Sequence, residues 1–129
     1  MIVKVNVSLG ELVDKITILE IKTERIDDAE KVKLAASEKE TLELSLKALG
    51  DDVVTEIGTL REELKAINEK LWVIEDEIRV KEHEKDFGED FVDLARRVYV
   101  TNDMRFGVKN KINNKFDSQY KEVKSYKEY

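Results

Sequence analysis

The sequence predicts an all-α fold: a long antiparallel, coiled-coil-like helical hairpin with a third helix, preceded by a short N-terminal β-strand. Three observations predict it. The 129 residues contain no proline and only five glycines, which suits long uninterrupted helices because proline removes a donor and clashes inside a helix. Ile57, Leu60, Leu64, Ile67, Leu71, Ile74 and Ile78 alternate spacings of three and four, the period of a helix seam. Apolar residues make up 41% of the chain, too many for a disordered acidic polymer, beside 40% charged residues that can clothe the outer helix faces. The length fits one helical domain, 1–129.

In order, residues 1–8 read as a strand or arm. Val3, Val5 and Val7 share one face and Lys4 and Asn6 the other. A lone strand leaves backbone groups unpaired, so it needs a partner, either a second subunit or the C-terminal tail. Ser8 and Glu11 fit a capping box that opens a first helix over 9–49. Leu12, Ile16, Leu19 and Ile26 form its stripe, with Ile18 and Ile21 off that stripe, so several neighbours are expected. The phase is lost at Asp27-Asp28, which predicts a kink, stutter or break near 27–29. Gly50-Asp51-Asp52 is a turn. A second helix follows over 53–87 and is expected to pair with the second half of the first. Gly88 ends it, and a third helix spans 89–117, apolar at Phe91, Leu94, Ala95 and Val98 and again at Ile112 and Phe116. Residues 118–129 are a tail.

Composition narrows the function classes. With no cysteine, disulfides and thiolate catalysis are excluded. The N-terminus lacks a basic region followed by a long apolar run, and no window approaches 18 consecutive apolar residues, so neither a signal peptide nor a membrane span is expected and the expected location is the cytoplasm, of a host cell if the source is viral. Residues 96–129 carry nine Lys or Arg against four Asp or Glu, leaving +5, whereas residues 1–95 carry 14 against 25, leaving −11. A basic end on an acidic body points to antiparallel docking or self-association. A nucleic-acid partner is not expected, because the acidic body repels phosphate. There is no P-loop, dinucleotide fingerprint or HExxH motif. His83 is the only histidine and sits in the charged run KEHEKD, so a His-rich metal site and a Ser-His-Asp triad are excluded. Glu75, Asp76 and Glu82 would need oxygen ligands from another helix to hold Mg²⁺, so no metal or cofactor is expected.

One polar constellation stands out. Trp72, the only tryptophan, begins a row with Asp76, Arg79 and His83 at i, i+4, i+7 and i+11, about 100° round from the seam. The third helix offers Arg96, Tyr99, Asn102, Asp103, Arg105 and Lys109. The first offers Asp14, Lys15, Lys22 and Arg25. If the third helix covers the Trp72 face, these groups meet. They then form either a sealed ion-pair network such as Asp76–Arg96 or Arg79–Asp103, which fixes helix register, or a cationic pocket for a carboxylate or phosphate with Trp72 or Tyr99 as a wall. The helical chorismate mutases build Arg/Lys pockets on a comparable three-helix plan, an analogy of architecture alone.

The stretches VSLGELVDKITILEIKTERI, LWVIEDEIRVKE and FVDLARRVYVTNDMRFGVKNKIN resemble a domain-of-unknown-function family of short helical proteins found in bacteria and marine tailed phages. The ending EVKSY is similar to that family's EEKSY. The resemblance implies no activity, since none is established for that family. It does imply that Asp14, Lys15, Lys22, Trp72, Asp76, Arg79, Lys81 and Glu82 are recurring polar positions, together with the six residues named on the third helix. Two functions are therefore expected: a homodimeric interaction or accessory module, or a binding protein or small enzyme for a small anionic metabolite.

Overall fold

The structure, a computed structural model, describes residues 1–116 and 124–129. Among these described residues five helices follow one another: α1 Leu9–Arg25, α2 Ala29–Lys47, α3 Asp51–Glu56, α4 Gly58–His83 and α5 Glu89–Lys115. Among the described residues all regular structure is helical. The expected N-terminal strand is therefore not formed. Residues 1–7 are exposed, Val3 and Val5 by 72% and 74%, and an alternating segment without a neighbouring strand gains nothing from its pattern.

The expected first helix is two helices. Ile26 and Asp28 are extended, and Asp28 accepts from the backbone N–H groups of Glu30 (3.0 Å) and Lys31 (3.2 Å), capping α2. The chain reverses here rather than bending, since Leu46 near the end of α2 packs with Val13 and Ile16 near the start of α1. Hence α2 lies along α1 and not along α4. It reaches α4 through side chains: Leu46 shares a core with Ile57 and Leu64, and Arg61 pairs with Glu43. The expected second helix is interrupted once, at Ile57, which separates α3 from α4.

The seam residues Ile57, Leu64, Ile67 and Ile74 are buried, as the spacing requires, but the helices packed along α4 are α1 and α5, and α2 adds only side chains such as Leu46. Spacing in threes and fours fixes which face is buried and leaves the identity of the neighbour open. Val13, Ile16, Leu46, Ile57, Leu64, Ile67, Val108 and Ile112 form the core, each fully buried aliphatic side chain contributing roughly 1.5–3 kcal/mol. It sits at the end of the molecule where α1 crosses the α4–α5 pair. Among the described residues no helix is long and apolar enough to cross a membrane.

Candidate functional site

The site begins where α1 meets α5. Three contacts run in opposite directions along the two helices: Gly10 N–H donates to Asn113 Oδ1 (2.7 Å), Lys109 Nζ to Glu11 Oε2 (2.9 Å), and the Arg105 guanidinium to Asp14. Gly10 permits the approach. A Cβ there would stand 2.5 Å from the Lys109 carbonyl oxygen.

One turn on, Asp14 and Thr17 are fully buried, next in sequence to the buried Val13 and Ile16. Asp14 takes both ends of a guanidinium fork, from Arg105 Nε (2.9 Å) and Arg105 Nη2. Asn68 on α4 donates through Nδ2 to Asp14 Oδ1 and to Thr17 Oγ1, 3.0 Å each, and Thr17 Oγ1 donates back to the Asp14 carbonyl at 2.8 Å. Four side chains from three helices are thus locked by charge-assisted and neutral hydrogen bonds. Arg105 retains 29% side-chain exposure, so the network is sealed on the Asp14 side and open on the other.

It opens onto a cleft of about 460 Å³, within the usual range of small-molecule sites. Ile18, Ile21 and Leu71 supply an apolar wall beside the half-buried Trp72. Asn68 and Arg105 form the floor, Asn102 flanks it, and Glu75, Asp76 and Arg79 stand at the lip. Arg79 is 75% exposed and pairs with Glu75 in its own helix at 3.4 Å. Two guanidinium groups therefore face two carboxylates, with the Asp14 carboxylate beneath, so the cleft is charged without being cationic.

Of the residues singled out by spacing, Trp72, Asp76, Arg79, Asn102 and Arg105 are brought together. The others are not. Arg96, Tyr99 and Asp103 lie about 120° or more round α5 from Arg105 at 100° per residue. Arg96 is exposed, while Tyr99 and Asp103 meet the tail: Lys124 Nζ lies 3.6 Å from Asp103, and the Tyr99 and Tyr129 rings are 5.4 Å apart. A hydrogen bond to Asp103 raises the Tyr129 hydroxyl above its usual pKa. Lys109 shares the Arg105 face but sits a turn lower, buried against Glu11. Lys15 is exposed and Lys22 half-buried, and neither lines the cleft. Arg79 pairs with Glu75 instead of Asp103, because residues four apart on one helix are already in reach.

Sequence reasoning did not select Asn68 or Thr17, weighed Glu75 only as a metal ligand, and placed Asp14 in the constellation without assigning it a buried role. The signal for three of them was present. Asp14 and Thr17 interrupt the apolar run from Leu12 to Ile21, and Asn68 lies between Ile67 and Leu71 on the seam. A polar side chain on a buried face needs a buried partner, and three such residues on two helices predict a shared one.

No curated protein and no solved structure matches this chain. One family model does, described as "Family of unknown function (DUF6165)". It covers residues 3–129, and the chain belongs to that family.

Proposed function

We propose that the protein binds a small molecule in the cleft between α1, α4 and α5, with one carboxylate or phosphate monoester at Arg79 above the Arg105 floor. The observation that carries this reading is the fork between Arg105 and the fully buried Asp14 at the base of an open cleft. A buried ion pair holds helices together no better than a well-packed apolar pair, so stability alone is a poor reason for it. Fixing an arginine at the floor of a cavity is a better one, since pre-organised polar groups lower the cost of ordering on binding. The exposed Arg79–Glu75 pair is weak enough to exchange for an anionic ligand. Asp76 and Glu75 disfavour a multiply charged anion and favour a ligand that also carries hydroxyl or ammonium donors. Trp72 and Leu71 would cover its apolar body.

Trp72, alone of its kind, makes the test direct. Its emission is followed while phosphate monoesters, nucleotides, and mono- and dicarboxylates with and without an amino group are titrated in. A saturable change is expected, abolished in Arg79→Ala with an unchanged melting temperature. If no compound moves the signal, and Arg79→Ala alters stability alone, the reading fails.

A second reading, self-association as an accessory module, is supported by a different part of the molecule. The α4–α5 pair beyond its crossing with α1 leaves Val73, Val80 and Val100 exposed by 39%, 54% and 40%.

A further inference from the structure

Opposite the cleft, α4 and α5 carry a second groove. It consists of two continuous depressions, about 510 and 360 Å³, that share Glu77 and Arg97. The α4 residues lining it are centred roughly 160° round the helix from those lining the cleft, at 100° per residue. From Ala66 to Lys81 it runs about 22 Å along α4, at 1.5 Å per residue. Its apolar residues are Ala66, Val73, Ile74, Val80 and Leu94. Among the described residues α1 reaches this side only through Arg25, 3.8 Å from Glu69, so the outer stretch of the groove is made by α4 and α5 alone. Two helices side by side cannot close their own seam. A stripe this wide is normally covered by further helices.

We propose that this groove receives the same face of a second copy, antiparallel, closing a four-helix bundle about a twofold axis near Glu77 and Arg97. The inference rests on the self-association reading and adds the surface and the orientation. The charges select the occupant. At the base Arg25 and Lys70 outnumber Glu69, and at the tip Asp90 and Asp93 outnumber Lys81. Antiparallel docking places each positive base on a negative tip, whereas parallel docking opposes like ends. Near the axis each copy carries one Glu77 and one Arg97, so the middle of the face is neutral, and any contact made there is made twice, as in every isologous interface. A surface of this kind is self-complementary, and charge patterns set orientation and register more than they set affinity. The face is short, about 22 Å along α4, so a reversible dimer is expected.

Sedimentation velocity across micromolar concentrations of the full chain tests association. A monomer–dimer equilibrium is expected, weakened at least about tenfold by Val80→Lys. Val80 is half-exposed, so circular dichroism of this variant should match the parent. Orientation is read with a short bismaleimide, because the chain has no cysteine of its own. Mixed Lys70→Cys and Lys81→Cys proteins should cross-link to each other, and Lys70→Cys alone should not. A dimer that ignores Val80→Lys, or a Lys70→Cys protein that links to itself, overturns the proposal and leaves self-association standing. A chain that stays monomeric throughout overturns both and leaves the groove to a foreign helix.

Discussion

Gly10 and Asp14, one helical turn apart, set the α1–α5 junction in different ways. In a solvated helix Gly→Ala gains about 1 kcal/mol of propensity. At Gly10 the added Cβ would meet the Lys109 carbonyl oxygen at 2.5 Å and Asn113 Oδ1 at 2.9 Å, and the first is backbone that cannot swing aside. Gly10→Ala is therefore expected to lose about 1–3 kcal/mol net in urea unfolding, the usual cost of overpacking. A stabilised variant would show that the two helices do not approach so closely. Asp14 separates structure from function. Asp14→Ala removes the acceptor of the Arg105 fork and of Asn68 Nδ2 and should cost about 3 kcal/mol. The double change Asp14→Leu with Arg105→Met removes both charges and is expected to recover most of that loss while abolishing any ligand-induced change in Trp72 emission. A double variant that is as unstable as Asp14→Ala would make the pair a structural device. One that still responds to ligand would remove Arg105 from the site.

The helices show what a sequence exposes and what it hides. The serine half of the capping box forms, Ser8 Oγ accepting from Glu11 N–H at 3.1 Å, while the Glu11 carboxylate, expected to reach back, goes to Lys109. The lost phase at Asp27-Asp28 is legible as a disturbance, but nothing local distinguishes a kink from the reversal that lays α2 on α1, which depends on distant Leu46. The α4 seam is legible as a buried face while its neighbours are not. Thr17 and Asn68, polar groups on apolar faces, escape a reading that sorts polar residues outward. The placement of α2 in turn has a pH signature. Arg61 on α4 hydrogen-bonds Glu43 on α2 and lies 3.7 Å from Glu20 on α1, and that hydrogen bond holds the Glu43 carboxyl below its ordinary value of 4.5. A carboxyl whose folded pKa is depressed contributes in full above its unfolded pKa and loses that contribution as pH falls through the folded one. Thermal melts by circular dichroism should therefore show stability falling from about pH 5 downward, and Glu43→Gln should flatten that slope. An identical slope in the variant would mean that the Arg61 contact does not anchor α2.

Across the whole molecule the charge asymmetry finds its use at one end. Arg105 and Lys109, from the basic C-terminal part of the sequence, dock on Asp14 and Glu11 near the start of the acidic part, so antiparallel packing of α5 on α1 accounts for a share of the +5 and −11 imbalance. The same end holds the apolar core, with Val108 and Ile112 of α5 against Val13 and Ile16 of α1. Beyond the crossing, α4 and α5 have each other, a T-shaped Phe87–Phe91 contact at 5.2 Å, and the Lys81–Asp86 pair that ties the turn at 3.2 Å. Local opening follows the density of buried apolar contact, so this half of the hairpin should open before the crossing does. Hydrogen exchange read by mass spectrometry should find amides in 75–100 exchanging faster than those in 104–113 at low protein concentration. The difference should shrink as concentration rises, if the outer hairpin is what a second copy covers. Uniform protection at every concentration would mean that the outer hairpin is held by more than its own seam. A gap that persists unchanged into the dimeric range would place the self-association surface elsewhere on the molecule.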